Sequence, residues 1–189
     1  RRQRQMCIRD RLRISVSTSF GQAQLACAMT EYVRRYPEVN IDLQMLDRTV
    51  NLVDERIDLA IRTSTELDPS LIARKLTVCR SVLCASPAYL REHPAPQQVD
   101  DLSLHNCLSH SYYGKSLWHF TVQGEALSVP VQGNISANEA STLLRVTLAG
   151  GGVSLLPSYL AGCHIRSGEL VRLLPDAEPL QMNIYAVYA

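Results

Sequence analysis

The hydrophobic pattern changes near the start of the chain from the period of a strand to that of a helix. Apolar and polar residues alternate over 12–16, which predicts a β-strand. Over 25–36 the apolar positions recur every three or four residues and predict an amphipathic helix, which ends at Pro37. Ser19 and Gln22 have the spacing of a capping box at the start of this helix.

The same alternation of strands and helices continues in the next part of the chain. Residues 39–46 predict a strand, residues 50–57 a short helix and residues 59–61 a buried strand. Strands and helices that alternate at this spacing form parallel βαβ units with right-handed crossovers. Residues 71–76 and 81–85 predict two more strands, so we expect an α/β sheet here.

The middle of the chain has a different pattern, which predicts a second lobe. Residues 117–122, 127–131 and 132–135 have the pattern of strands joined by short turns. A second strand–turn–helix unit follows, in which Asn138 is the predicted N-cap of a helix that runs to Ala149. The last strand suits a return to the first lobe. The predicted bounds are 12–85 plus 160–189 for lobe I, 86–159 for lobe II, and 1–11 for a separate arm.

Polar side chains follow several of the predicted strands, at the edge where ligands bind in open α/β sheets. The hydroxyl side chains at 17–19 precede a helix, where free N–H groups favour a small anion; the alternative is that they only cap the helix. The same two alternatives apply to Asn138. Arg62 can bind a carboxylate through two N–H groups, or it can form a structural ion pair with Asp58 or Glu55.

The net charge of +1 conceals an uneven distribution. Residues 1–11 carry five arginines and one aspartate, so the rest of the chain has a net charge of −3. Because the body has no basic stripe and no aromatic stacking motif, we do not expect this chain itself to bind nucleic acid. We interpret residues 1–11 as a disordered arm, the end of a linker, or a cloning or sequencing artefact. No apolar run has the length of a membrane span and no leader pattern is visible, so we expect a cytoplasmic protein without membrane contact.

The cysteines and histidines lack the spacing of a metal site or a catalytic centre. Six cysteines occur without a CxxC pair, so we expect reduced, buried thiols and no metal. The five histidines form no recognisable triad, and the GxSxG, P-loop and GxGxxG patterns are missing, so we expect neither an enzyme nor a cofactor. His110 lies near a predicted strand end, before Ser111, Tyr112 and Tyr113, and it either packs at the surface or contacts a ligand.

Six stretches, in this order, resemble the C-terminal effector-binding domain of LysR-type transcriptional regulators. They are LRISVSTSFG (12–21), MTEYVRRYPEVNIDL (29–43), DLAIR (58–62), LCASPAYL (83–90), NEASTLLRVTLAGGGVSLLP (138–157) and GELVRLLPD (168–176). Each stretch alone is a weak signal, but the order of all six is specific. The similarity runs from about Leu12 to Ala189.

The resemblance implies an α/β fold of two Rossmann-like lobes joined by two crossover strands, as in type 2 periplasmic binding proteins. It implies a small effector in the cleft between the lobes, often a carboxylate or an aromatic metabolite, and the polar strand ends favour an anion. The expected effector-binding residues are Ser17, Thr18, Ser19, Arg48, Arg62, Thr63, Ser136 and Asn138.

The resemblance also implies partners. Family members form homodimers or homotetramers, in which the helix at about 22–36 packs against the partner's helix at about 139–148. The family's winged helix-turn-helix is not found in this sequence, so we expect contact with DNA only through a domain outside it. Two other functions fit the same fold. One is a solute-binding protein of a transporter, which would be indicated if the protein is exported from the cytoplasm; the other is a dimerisation-only module with an empty cleft. Catalytic turnover would indicate an enzyme instead.

Overall fold

The computed structural model of the protein describes residues 11–67 and 71–188, which form two compact units. Among the described residues, unit 1 contains those up to Val78 and again those from Met182 onward, and unit 2 is Cys79–Gln181. The chain therefore passes from one unit to the other twice. Unit 1 contains one sheet and unit 2 contains two.

The sheet of unit 1 has the strand order β2-β1-β3-β13-β4. The strands are β1 (Leu12–Val16), β2 (Ile41–Met45), β3 (Leu59–Ser64), β4 (Ile72–Cys79) and β13 (Met182–Tyr188). β1 pairs in parallel with both β2 and β3, which confirms the predicted parallel arrangement, whereas β13 pairs antiparallel with β3. The carboxyl ends of three parallel strands therefore meet at one edge of this sheet.

A helical segment follows β1 almost directly. It consists of α1 (Thr18–Phe20), a π-helical turn (Gly21–Leu25) and α2 (Ala26–Arg35), so it ends just before Pro37 as predicted. Gly21 lets this segment approach the sheet closely. A Cβ atom at Gly21 would lie 2.9 Å from Cγ1 of Val16 and 2.5 Å from Sδ of Met45. Glycine thus fixes the start of the helix against the ends of β1 and β2.

The predicted helix over 50–57 is wrong, because this segment forms a series of turns. The Asn51 side chain accepts hydrogen bonds from the N–H groups of Val53 and Asp54 at 3.0 and 3.3 Å, which is the geometry of an Asx turn. Arg56 has a φ of 53°, which a helix does not allow. Val50, Leu52 and Ile57 are nevertheless buried with Ala60 and Val187, whereas Val53 is exposed. Their helix-like spacing reflects this packing.

Unit 2 contains a five-stranded sheet of order β11-β5-β10-β6-β9 and a three-stranded sheet of order β12-β7-β8. The strands are β5 (Ser81–Ala85), β6 (Cys107–His110), β7 (Leu117–Val122), β8 (Glu125–Pro130), β9 (Ser136–Ala137), β10 (Val153–Pro157), β11 (Val171–Arg172) and β12 (Ala177–Pro179). The helices are α3 (Pro87–Glu92), a 3₁₀ helix (Val99–Leu104), α4 (Ala140–Leu148) and α5 (Ser158–Ser167).

Both faces of the five-stranded sheet are covered. Leu83 and Ala85 of β5 belong to one core cluster with Trp118, and Cys84 between them belongs to a second cluster with Leu143. Successive residues of a strand point to opposite faces, so a strand buried on both sides is apolar throughout. This explains the continuous apolar run that predicted β5.

The units divide at other residues than the predicted lobes. β5 pairs antiparallel with β10, and β12 pairs with β7, so the segments 81–85 and 160–181 lie in unit 2. A hydrophobic strand has the same pattern in either sheet, and only its pairing partner decides the unit to which it belongs. The predicted strand over 132–135 is wrong: these residues form a connection, in which the carbonyl of Gln132 accepts the N–H of Cys107 at 2.9 Å.

Candidate functional site

The turn after β1 is held by a carboxylate of the chain itself. Asp47 follows β2, and its Oδ1 accepts the backbone N–H of Thr18 at 3.0 Å. The second carboxylate oxygen accepts the hydroxyl of Thr18. At the position predicted for a small anion, the first N–H group of the helix is therefore already bound by Asp47.

The structure places Ser17, not Ser19, at the N-cap position of the helix. Ser17 occupies the N-cap position in an extended conformation and makes no capping hydrogen bond with its side chain. Ser19 lies inside α1 and is only 4% exposed, so its predicted capping box with Gln22 is wrong. Asp47 contacts the helix start from a neighbouring strand, which a search for local capping residues does not detect.

The two predicted arginines of unit 1 have different environments. Arg48 is exposed and donates from both Nη atoms to the carboxylate of Glu55, at 2.8 and 2.7 Å. These hydrogen bonds hold the pKa of Glu55 below its usual value. Arg62 is half-buried in β3, and its Nη2 donates to the hydroxyl of Ser15 at 3.0 Å. Arg62 therefore reaches across to β1, two residues before the turn at Ser17.

Some of the predicted contacts of Arg62 and its neighbour need correction. Asp58, one of the two proposed ion-pair partners of Arg62, accepts the backbone N–H of Arg13 at 2.8 Å. Thr63 follows Arg62 within β3 and pairs in register with Ile184 of β13. Because successive strand residues face opposite sides, Arg62 and Thr63 cannot both point to the same side of the sheet.

In unit 2 the predicted residues lie where β6 and β9 end. β9 runs parallel to β6, with Ser136 opposite Ser109, and both Ser136 and Asn138 are exposed. Asn138 is not the N-cap of α4, so that prediction is wrong. The N-cap is Glu139, whose carboxylate oxygens accept the backbone N–H groups of Ser141 and Thr142 at 2.7 and 2.9 Å.

Glu139 carries its charge in a partly buried position. Burial raises the pKa of Glu139, but the hydrogen bonds from Ser141 and Thr142 outweigh burial and bring this pKa below its ordinary value. The carboxylate therefore stays ionised at neutral pH at the positive end of α4. Internal carboxylates thus accept backbone N–H groups at both helix starts that were candidates for anion binding: Asp47 accepts that of Thr18 in unit 1, and Glu139 accepts two in unit 2.

Aromatic side chains surround His110 at the end of β6. The ring centroid of His110 lies 5.0 Å from that of Tyr113 and 5.9 Å from that of Tyr112. Its Nδ1 accepts the backbone N–H of Tyr112 at 3.3 Å, so the ring proton of a neutral His110 lies on Nε2. Both tyrosines are exposed, and they give this edge of unit 2 flat apolar surfaces.

The cysteines divide into buried and exposed thiols. Burial raises the pKa of Cys79 to about 11 and the pKa of Cys84 and Cys107 to about 12, so these thiols are protonated at neutral pH. Cys27 and Cys163 are exposed, so the prediction of buried thiols is wrong for these two. Cys7 lies outside the described residues. Within residues 11–67 and 71–188, no group of three or more histidine, cysteine or acidic side chains is placed to hold a metal ion.

None of the helices in the described ranges has both the length and the apolar character that crossing a membrane requires.

The chemistry of the described strand ends consists of hydroxyls, one half-buried guanidinium, aromatic rings and carboxylates that are already hydrogen-bonded. Groups of these kinds have the hydrogen-bonding and stacking chemistry that small-molecule sites use.

Curated relatives of the chain carry the names of transcriptional regulators. The HTH-type transcriptional activator TtdR of Escherichia coli K12 is 36% identical over 179 residues, which cover 94% of this chain and 57% of TtdR. The HTH-type transcriptional regulator DmlR of the same strain is 34% identical over 183 residues, covering 94% of this chain and 58% of DmlR. The chain thus spans a little over half the length of these relatives.

Solved structures with the same fold include two regulators. The regulatory domain of CrgA, a LysR-type regulator from Neisseria meningitidis, matches with a TM-score of 0.82 at 26% identity, over 95% of this chain and 89% of that chain. Full-length AphB, a virulence activator of Vibrio cholerae, matches with a TM-score of 0.82 at 27% identity, over 99% of this chain and 67% of that chain.

The fold class predicted from the sequence is confirmed, because LysR regulatory domains such as that of CrgA have the two-lobed α/β fold of periplasmic binding proteins. The model of the LysR substrate binding domain matches residues 8–189. With nearly all of its residues inside this match, the chain belongs to the LysR substrate binding domain family.

Proposed function

We propose that the chain is the effector-sensing part of a LysR-type transcriptional regulator. The observation that carries this proposal is the family match over residues 8–189, which agrees with the names of the relatives as transcriptional regulators. In this proposal a small molecule binds to the chain, and a separate domain of the regulator contacts DNA. A regulator of transcription works beside the chromosome, so we place the protein in the cytoplasm.

The proposed effector contacts are polar groups at the strand ends of each unit. In unit 1 they are Ser17, Ser19, Thr18 with its partner Asp47, and Arg62 next to Ser15. In unit 2 they are Ser136, Asn138 and the aromatic rings around His110. Arg48 and Thr63 remain candidates from the family resemblance. The ion pair of Arg48 with Glu55 favours a structural role for Arg48.

We infer the charge of the effector from Arg62. Asp47 and Glu139 already accept the N–H groups at the two helix starts, so a carboxylate of the effector needs another partner. Arg62 carries a positive charge and is half-buried in β3, where it donates to the hydroxyl of Ser15 and to the carbonyl of Ile61, and a guanidinium is well suited to bind a carboxylate. We therefore propose a carboxylate effector that binds through Arg62.

A thermal-shift screen tests the effector proposal. We expect succinate or benzoate to stabilise the chain and the matching amides to have less effect; a ligand at about a hundred times its Kd adds roughly 2.7 kcal/mol. The Arg62→Ala variant should lose the stabilisation by carboxylates. The control is Arg91→Ala, which removes an exposed arginine in the last turn of α3 in unit 2 and should keep the stabilisation.

Each outcome of this screen has a distinct meaning. A carboxylate shift that disappears in Arg62→Ala supports both the sensor and its anion contact. A shift that survives in Arg62→Ala keeps the sensor and contradicts the role of Arg62. If no small acid, aromatic carboxylate or neutral analogue shifts the melting temperature, the dimerisation-only module becomes the better explanation.

We also propose that the chain forms a homodimer through the exposed side of α2. None of the residues of α2 is fully buried. Ala28 and Tyr32 on its surface and Tyr36 at its C-cap follow one another at intervals of four residues, and all three are exposed. The rings of Tyr32 and Tyr36 lie 4.8 Å apart and form an exposed apolar patch. A helix with such a patch gains stability when a partner helix covers it.

We expect Tyr32→Glu to shift the chain from dimer to monomer, because the new carboxylate would be buried in the interface without a partner. Sedimentation velocity measures this, with Glu31→Gln on the same helix as the control that stays dimeric. The helix expected on the partner's side of this interface is α4, which contains Leu144. A substitution of Leu144 does not test the interface, since Leu144 is only 7% exposed and packs in the core of its own unit. A Tyr32→Glu variant with the sedimentation of the wild type would contradict the interface.

A further inference from the structure

A buried tyrosine hydroxyl in unit 2 lies between two hydrogen-bonding partners. Tyr89 of α3 is 5% exposed and belongs to the core cluster that contains Leu83 and Leu102. Its hydroxyl oxygen accepts the backbone N–H of Asn106 at 3.1 Å. The same oxygen lies 3.0 Å from Nδ1 of His105. These two atoms are the polar contacts of the hydroxyl among the described residues.

The arrangement determines where the protons lie. The N–H of Asn106 is a donor and cannot accept the proton of the Tyr89 hydroxyl, so this proton points at Nδ1 of His105, which accepts it. His105 is therefore neutral and carries its proton on Nε2. A protonated imidazole has two N–H donors and no acceptor. Protonation of His105 would leave the O–H of Tyr89 in the core without its acceptor, which is costly.

The surrounding groups have opposing effects on His105. The ring of His93, at the end of α3, stacks on the ring of Tyr89 with 4.3 Å between centroids, and its Nδ1 donates to the carbonyl of Tyr89 at 3.2 Å. Burial, followed by the nearby charge of His93, lowers the pKa of His105, and Asp101 of the 3₁₀ helix opposes this. Burial raises the pKa of Cys107 to about 12, so this neighbouring thiol stays uncharged.

We propose that the hydrogen bond between Tyr89 and His105 is an acid-sensitive latch, which is closed while His105 is neutral and opens when His105 takes up a proton. Asn106, whose N–H donates to the hydroxyl of Tyr89, connects this hydrogen bond to other elements of unit 2. The Asn106 side chain donates to the carbonyl of Gly151 at 2.6 Å, and its own carbonyl accepts the N–H of Val153 at 2.9 Å. Opening therefore loosens the segment that joins α4 to β10.

The sign of the effect follows from the protons bound in each state. Unfolded His105 titrates near the ordinary histidine value of about 6.5, and folded His105 titrates below it. In the range between these values the unfolded chain binds more protons. The latch therefore contributes its full stability above about pH 6.5 and loses it as the pH falls through the lowered pKa.

Thermal unfolding between about pH 7.5 and about pH 5, followed by circular dichroism, tests the latch. We expect acidification to lower the Tm of the wild type by about 2–4 °C more than the Tm of His105→Gln. Glutamine offers an amide oxygen to Tyr89 and does not titrate. The control is His119→Gln: His119 also contacts a hydroxyl, that of Ser128 at 2.8 Å, but this pair is exposed. It should keep the acid sensitivity of the wild type.

Two measurements by NMR on the wild-type chain make the result independent of how well the variant folds. We expect the ring of His105 to titrate below about 6.5, and the amide of Asn106 to lose protection against hydrogen exchange on acidification. Equal acid sensitivity in the wild type and in His105→Gln overturns the latch. Titration of His105 at or above the ordinary histidine value overturns it as well.

Discussion

Gly133→Ala is expected to destabilise unit 2 by roughly 3 kcal/mol, at the upper end of what an added methyl group costs in a packed interior. A Cβ atom at Gly133 would lie 1.9 Å from the carbonyl oxygen of Cys107. This oxygen belongs to the backbone of β6 and cannot rotate away. The methyl group therefore pushes the connection 132–135 outward and breaks the hydrogen bond between the Cys107 N–H and Gln132, which is 2.9 Å long.

Urea unfolding followed by circular dichroism measures this loss. The matched control is Gly162→Ala in α5, where a Cβ atom would meet only the end of the Arg166 side chain at 3.4 Å. Alanine favours a helix over glycine, so this control should gain about 0.5–1 kcal/mol. The same substitution thus has opposite signs at two places in one unit. A Gly133→Ala variant as stable as the wild type would mean that the connection does not lie against Cys107.

The close approach at Gly133 has a counterpart on the other side of the same strand start. A Cβ atom at Gly152 would lie 2.2 Å from the carbonyl oxygen of Asn106. The side chain of Asn106 then joins both segments, because it contacts Asn134 at 2.8 Å and the carbonyl of Gly151 at 2.6 Å. The start of β6 is therefore the point at which unit 2 joins the segments leading to β9 and to β10.

Local patterns predicted most of the elements because those elements depend on neighbouring residues. β1 and β3 have the predicted alternation or apolar run, and α3 begins as its sequence indicates. Ser86 caps α3 by accepting the N–H of Tyr89, and Pro87 is the first helical residue. Six stretches that resemble the family, in the same order, also identified the family, because the order of segments can be read directly from the sequence.

The candidate site was less predictable because its contacts join residues far apart in the chain. Asp47 lies 29 residues after Thr18, and Arg62 lies 47 residues after Ser15, and no local pattern indicates that these side chains meet. One signal was available for Asp47, since an acidic residue that directly follows a parallel strand lies at the same edge as the neighbouring helix start. Assignment to the site itself stays a prediction for all eight residues.

The N-terminus of α4 offers the sharpest contrast between a local rule and the structure. Asparagine is among the best N-cap residues and glutamate is not among the preferred ones, so the sequence favours Asn138. In the structure Asn138 is exposed, while the carboxylate of Glu139 accepts two N–H groups of the first turn. We expect Glu139→Ala to cost about 1–2 kcal/mol of stability and Asn138→Ala to cost almost nothing.

Urea unfolding of both variants measures this difference, and the pH dependence of Glu139→Gln adds a second criterion. The pKa of folded Glu139 lies below its ordinary value, so its contribution is complete above that value and disappears as acid protonates the carboxylate. The wild type should therefore lose more stability than Glu139→Gln below about pH 4.5. If Asn138→Ala is instead the costly change, the helix begins one residue earlier and the N–H groups of Ser141 and Thr142 are available to an effector.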